Sequence, residues 1–356
     1  MASSSHDGWD YLPSEILTRI GPLLHLTIDM PYARLACSHW AYSLTHCIVR
    51  IQKDSLKGAG PKDWGKRMLS GLQELKWSAP RSLRCAPWGS LRRLTLTKAR
   101  ITSISLRVVF SCAPPLLEHL DISGSNVTDY GFVGSWPPSL SSLNLSGCSK
   151  ITDAALRTMG HIKSLVIDHC QGLNGSGIRA LQNIESLSVR GPDIVDWAGF
   201  MRTRNLTSLN ATRVAATLTM TVMLSYVSSL TSLTLGEESK ASITDLALYQ
   251  LRDLPFLSRL TLIECDGLRD FSITSLRSLD YISISSCDAI EAKELAPLTR
   301  LSELSLIRCC AVGDAGLAEL GRMPSLTSLH VSGCEAITGA GLQSLMDARP
   351  DLLLTV

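Results

Sequence analysis

The sequence predicts an α/β solenoid, a stack of short units that each contribute one strand and one helical return, with a small all-α module ahead of it. Three observations carry this. An apolar pattern, L-x-x-L-x-L-x-x-C, recurs along most of the chain. Aromatic residues make up only 5% of a chain that is 45% hydrophobic, so any core is aliphatic. Residues 9–50 break the pattern and read instead as two amphipathic helices.

The repeat is plainest in Leu140-Ser-Ser-Leu143-Asn-Leu145-Ser-Gly-Cys148, and it returns at Leu257-Ser-Arg-Leu260-Thr-Leu262-Ile-Glu-Cys265 and Leu326-Thr-Ser-Leu329-His-Val331-Ser-Gly-Cys334. Counted from the first leucine, units begin at Leu72, Leu91, Leu117, Leu140, Ile162, Ile184, Leu206, Leu230, Leu257, Leu279, Leu301 and Leu326. They are spaced by about 19 to 27 residues. A last strand is expected in Asp351-Leu-Leu-Leu-Thr-Val356. Apolar residues two apart point to one face of a strand, and each unit is too short to bury that face alone. Stacking buries it and pairs the strands in parallel. The second half of each unit has helical spacing. In Ile151-Thr-Asp-Ala-Ala-Leu-Arg-Thr-Met159, Ala155, Leu156 and Met159 share a face and Asp153 stands at the expected N-cap. Comparable stretches are Ala315–Leu320 and Ala340–Leu345. A helix is wider than a strand, so the stack should curve with the sheet on its concave side and the helices on its convex side.

Cys148, Cys170, Cys265, Cys287, Cys309 and Cys334 each stand eight residues after their unit's first apolar position, where the chain leaves the strand. A buried thiol fills space there and hydrogen-bonds weakly to the turning backbone. A stack sets such residues in a line one strand apart, which argues against catalysis or metal binding. The units resemble the cysteine-containing class of leucine-rich repeats, whose strands are followed by C-x-x-I/L-T-D. Cys148-Ser-Lys-Ile151-Thr152-Asp153 and Cys334-Glu-Ala-Ile337-Thr338-Gly339 carry the resemblance. The units from Ile184, Leu206 and Leu230 have Pro192, Val214 and Glu238 in the cysteine place, which marks either a binding insertion or drift across 184–256.

Ahead of the repeats, Pro13 suits the first turn of a helix bearing Ile16, Leu17, Ile20, Leu23 and Leu24, and Gly21-Pro22 interrupts it. A second helix follows Asp29 and Pro31, with Ala33, Ala36, Cys37, Trp40, Ala41 and Leu44 on one stripe. Trp9-Asp-Tyr-Leu12-Pro13-Ser-Glu15-Ile16-Leu17, then Arg34-Leu-Ala-Cys37-Ser-His-Trp40, is similar to the F-box. That resemblance implies docking on a Skp-type adaptor of a cullin–RING ubiquitin ligase, with Leu12, Pro13, Ile16, Ile20, Leu24 and Trp40 at or behind the contact. F-boxes are often followed by leucine-rich repeats that hold the substrate. The competing expectation is that residues 9–50 cap the exposed apolar end of the first repeat, as any solenoid requires. The domain plan is a flexible 1–8, the module at 9–50, a Gly/Pro/Lys-containing connector at 51–71, and repeats at 72–356.

A net charge of +2 creates no field that would gather nucleic acid or an anionic membrane. No secretory signal and no apolar run near 18 residues is present, so the expected setting is cytoplasmic or nuclear, with the 11 cysteines reduced and the Asn-x-Ser/Thr sequons unused. Cys37-Ser-His39 and His46-Cys47 superficially resemble zinc ligands, but no second Cys-x-x-Cys follows. No P-loop, dinucleotide fingerprint or nucleophile elbow appears, and Gly172-Leu-Asn-Gly-Ser-Gly177 reads as a repeat turn. No cofactor, metal or catalytic residue is expected.

Outward positions on the sheet are the third, fifth and seventh of each unit, about half of them Ser or Thr. Arg93, His119, Asp121, Asp168, Arg190, Arg259, Tyr281, Glu303 and His330 stand out against that background as candidate contacts for a protein substrate. The combined expectation is a non-enzymatic substrate-recognition subunit of an SCF-type ligase. The alternative is a leucine-rich-repeat scaffold unrelated to ubiquitin.

Overall fold

The computed structural model describes residues 50–53, 73–78, 89–97, 101–111, 115–134, 136–191, 194, 196–213, 218–236, 243–265, 268, 271–287 and 290–356. The residues expected at the adaptor contact, Leu12, Pro13, Ile16, Ile20, Leu24 and Trp40, and the irregular Pro192, Val214 and Glu238, lie outside them. Two units are distinguished, Met1–Ile151 and Thr152–Val356.

In the first unit the strands are β1 (Arg50–Lys53), β2 (Glu74–Ser78), β3 (Arg93–Thr97), β4 (His119–Asp121) and β5 (Ser142–Asn144), paired in parallel in chain order. The described ladder thus includes a strand ahead of the first counted repeat, at the boundary between the stretches read as module and connector. Helix α1 (Ser103–Ser111) and a 3-10 turn, Asp129–Phe132, form the returns. Aromatic packing here is local. Phe110, Phe132 and Trp136 cluster with centroids 4.9 to 6.4 Å apart, Phe132 stacked on Trp136 and Phe110 tilted against both.

The second unit has β6 (Ser164–Val166), β7 (Ser186–Ser188), β8 (Ser208–Thr212), β9 (Ser232–Gly236), β10 (Arg259–Ile263), β11 (Tyr281–Ser285), β12 (Glu303–Ile307), β13 (Ser328–Ser332) and β14 (Leu353–Thr355), again parallel and in sequence order. The expected terminal strand is therefore present. The strands also run unbroken through the repeats with irregular loops, β7 to β9. The returns include α2 (Asp153–Leu156), α3 (Leu218–Leu224), α4 (Asp245–Tyr249), α5 (Ala292–Leu295), α6 (Asp314–Gly321) and α7 (Gly339–Ala348), with 3-10 turns such as Trp197–Arg202.

The apolar spine follows the sequence pattern position by position. In the repeat from Leu257, Leu257, Leu260 and Leu262 are fully buried, and the first, fourth and sixth residues of the other described repeats are at most 3% exposed. Ala155, Leu156 and Met159 are buried together as the helical spacing predicts.

Register is held by the backbone. From Gln73 O to Glu118 O in the first unit and from Lys163 O to Ser302 O in the second, the carbonyl of a repeat's second residue accepts two N–H groups from the next repeat, as when Ser258 O receives Asp280 N and Tyr281 N at 3.0 Å. Second-place hydroxyls add to the same rungs. Thr231 Oγ1 donates to Thr207 O at 2.9 Å and Ser302 Oγ to Asp280 O at 3.1 Å.

Two local expectations change. Asp153 is not the N-cap of α2. Thr152 is, its hydroxyl accepting from Ala154 N at 3.2 Å. The Asp153 carboxylate, buried, reaches into the next repeat and accepts Asn174 N at 2.8 Å, Gly175 N at 3.1 Å and Gly177 N at 2.7 Å. The glycine-rich turn is thus a cradle filled by the chain's own acid. Gly175 has φ +99°, and a Cβ at Gly177 would meet Asp153 O at 2.7 Å, which explains both glycines. Asp314 repeats the device with Thr338 N at 2.8 Å and Thr338 Oγ1 at 2.6 Å.

The second change concerns strand exits. The eighth residue of each described repeat from Leu117 onward is left-handed, whether glycine (Gly124, Gly147, Gly191, Gly333) or not (His169, Arg213, Glu264, Ser286, Arg308). The cysteine follows, and this turn directs its thiol inward.

Candidate interaction surface

The cysteine places come first, because they are the chain's most regular reactive groups. Cys309 Sγ donates to Ile284 O of the preceding repeat at 3.5 Å, and its N–H donates to Cys334 Sγ at 3.4 Å. Cys265 N donates to Cys287 Sγ at 3.2 Å, and Cys148 Sγ to Ile122 O at 3.5 Å. Burial pushes the Cys148 thiol up and raises Cys309 to about 11, so both stay protonated near neutral pH. A protonated, enclosed thiol is a structural donor and a poor nucleophile. Among the described residues no group of three or more His, Cys, Asp or Glu is placed to hold a metal, and no helix is long and apolar enough to cross a membrane.

The side of the sheet opposite the spine carries the predicted contact residues, because strand alternation turns third, fifth and seventh positions away from the leucines. In the first unit, exposed Arg93 is the register partner of half-buried His119. Burial, then the Arg93 charge, holds His119 below the usual imidazole range, so it is neutral at neutral pH. Asp121 has a local task, its Oδ1 accepting Ser123 N at 2.9 Å. Asn144, in register with it, does the same for Ser146 N at 3.0 Å.

In the second unit, Arg259, Tyr281 and Glu303 stand side by side on β10, β11 and β12. The Arg259 guanidinium lies 5.0 Å from the centre of the Tyr281 ring, a cation–π contact that fixes both side chains. His330 sits on β13 in register with Ser305, one outward position beyond the Glu303 row. Asp168 accepts Ser188 Oγ at 2.8 Å, and Arg190 is half-buried one strand further on.

The nine residues predicted from sequence are thus not one cluster. Three form a continuous row, and the rest are distributed over two units. Sequence reasoning missed the second-place Ser and Thr, to which it gave no role. Their signal was there in the recurrence of a hydroxyl next to the first leucine in unit after unit.

The outward face is hydroxyl-rich and carries a preformed aromatic and charged row, suited to contact with another macromolecule.

Comparison with known proteins agrees on architecture. The family described as Leucine Rich repeat matches residues 322–346. No curated protein matches the sequence. Among solved structures, an internalin (InlF) from Listeria monocytogenes superposes with a TM-score of 0.56 at 18% identity, over 91% of this chain and 92% of that one. Rad7, in the Rad7–Elc1 complex from yeast, gives 0.57 at 19% identity over 96% and 92%. TLR13, in its complex with ssRNA13, gives 0.59 at 19% identity over 84% of this chain and 48% of that chain. Identities this low speak to the fold and to nothing further. Repeating apolar triads, parallel ladders in chain order and these neighbours together establish the chain as a leucine-rich-repeat solenoid with an α/β build.

Proposed function

We propose that this chain is a protein-binding receptor whose outward sheet face holds a target and whose residues 9–50 dock a Skp-type adaptor of a cullin–RING ubiquitin ligase. The observation that carries the receptor reading is the Arg259–Tyr281–Glu303 row, because a tyrosine already clamped by an arginine loses little side-chain freedom on binding. The face mixes charges of both signs, which favours protein over nucleic acid as the target. The ligase assignment rests on the F-box resemblance of Leu12-Pro13 through Trp40. The occurrence of a neighbour of similar fold, Rad7, in complex with Elc1 fits the use of such solenoids as parts of larger assemblies. In this reading the chain performs no chemistry; it brings a substrate close to the partners that do. It works in the cytoplasm or nucleus and takes no cofactor.

Recovery of partners from cell extract separates the possibilities. Wild-type chain brings down a Skp-type adaptor and a cullin, and the double substitution Leu12→Ala, Pro13→Ala loses both while a target retained by the repeats stays bound. Equal adaptor recovery by the two proteins, or none by either, ends the ligase assignment.

A second reading is favoured by one observation, that the first described strand, Arg50–Lys53, already pairs in parallel with Glu74–Ser78. Residues 9–50 would then cap a scaffold that has no tie to ubiquitin. That reading expects deletion of residues 1–49 to unfold the first repeats and cullin to be absent from the recovered partners.

A further inference from the structure

Three buried side-chain atoms without a hydrogen-bond partner converge on neighbouring strands of the second unit: Arg190 Nε, Asn210 Oδ1 and Thr212 Oγ1. Ser188 pairs with Asn210 in the β7–β8 register, and Gly191 N donates to Thr212 O at 3.3 Å, so Arg190 and Thr212 are neighbours across the two strands. All three occupy outward positions, yet Thr212 is only 4% exposed. Buried polar groups are nearly always satisfied, and one left unmet costs free energy that the fold recovers nowhere else. The rest of the outward face shows the contrast. Asp121, Asn144 and Asp168 each have a partner within 3.0 Å.

We infer that this patch receives an acidic side chain from an extended segment of a protein partner, the Arg190 guanidinium and Thr212 hydroxyl donating to its carboxylate and Asn210 Oδ1 accepting an N–H of the same segment. The inference rests on the reading of the outward face as a protein-binding surface and names what that face selects. The chemistry follows from the unmet groups. A half-desolvated guanidinium favours a planar anion that can take two of its N–H groups at once. An unmet amide oxygen requires a donor, which a peptide's backbone N–H supplies close to its own carboxylate. Asp168, one strand before Arg190 and already holding Ser188 Oγ, opposes a dianion more than a monoanion.

The test is selection of a displayed library of random heptapeptides on the full chain, with the winning peptides measured on wild-type protein, Arg190→Gln and Thr212→Val. An Asp or Glu at a fixed place in the selected peptides is expected, with binding at least about tenfold weaker for either variant. Changing that acid to its amide should weaken binding comparably, and the loss should not add to that of Arg190→Gln. Thr212→Val removes an unmet hydroxyl, so its melting temperature should hold or rise while its affinity falls. A hydroxyl kept for the fold would do the opposite, and that outcome overturns the proposal. So do selected peptides without an acid, a phosphoserine peptide that binds more tightly than its glutamate counterpart, or N-acetylglutamate competing as strongly as the peptide. Peptides that ignore Arg190 but are lost on Tyr281→Ala sink this site and leave the receptor reading standing. A library that yields no binder sinks both.

Discussion

Cys309 and Cys310 are adjacent in sequence and opposite in chemistry. Cys309 is buried, donates to the carbonyls of Ile284 and Ile307, and has its thiol raised to about 11 by burial, whereas Cys310 is exposed. Brief treatment of the native protein with a maleimide at neutral pH should label Cys310 and spare Cys309, as read by peptide mass spectrometry; equal labelling would contradict the role of Cys309 as an enclosed structural donor. The cysteine register was legible in sequence because spacing alone fixes it. The turn that feeds it was not. Glycine at Gly124, Gly147, Gly191 and Gly333 hints at a left-handed residue, but His169, Arg213, Glu264, Ser286 and Arg308 hold the same conformation without that signature. Stacking imposes it, because each exit must follow the one before. Ser286→Gly removes that strain and should raise stability by about 0.5–1 kcal/mol, measured by denaturant unfolding.

At the scale of elements, strands were readable and helices only partly. A period of two leaves little choice once Leu, Ile, Val or, in β8, Ala fills the fourth and sixth places, so β6 to β13 fall where the pattern puts them. The returns carry weaker information. Asp153 in the T-D motif looks like a cap, yet Thr152 caps and the carboxylate crosses to the next repeat, a contact that only the stacked structure creates. Asp153→Ala leaves Asn174 N, Gly175 N and Gly177 N without their acceptor in a buried turn, a loss of about 3 kcal/mol. Hydrogen exchange should show those amides opening first. Asp314 gives the pH-dependent counterpart. Its bonds to Thr338 hold its carboxyl below the ordinary 3.8. A depressed native pKa means stability that is complete above the unfolded value and disappears as pH falls through the folded one. Acid unfolding below about pH 4 should therefore be eased in wild type, and Asp314→Asn should flatten that part of the curve while lowering stability at neutral pH.

The whole molecule behaves as a chain of neighbours. Every described strand meets only the strands before and after it within its unit, so stability is a sum of nearest-neighbour terms instead of one shared core. Leu262→Ala, at a fully buried site in β10, should cost about 2–5 kcal/mol. Amide exchange should quicken in β9 to β11 and leave β13 unchanged; uniform quickening would mean a single cooperative core. At this scale the sequence disclosed the fold through recurrence and disclosed the candidate site only in part. Arg259, Tyr281 and Glu303 were each visible as large residues on a small-residue face, but their alignment depends on a register no single repeat contains. Asn210 and Thr212 passed for bland surface because an unmet hydrogen bond is a property of surroundings, not of residue type.

The doubled rung at the second-place carbonyls has a further consequence. From β6 to β13 each junction uses the same bonds at the same place, so the outward residues there are ruled off at a constant pitch of about 4.8 Å. Gain or loss of one whole unit would slide all later contacts by a single division and leave their order intact. Such a surface can be lengthened or shortened like a measuring rule, matching ligands of different span without redesign of any one junction.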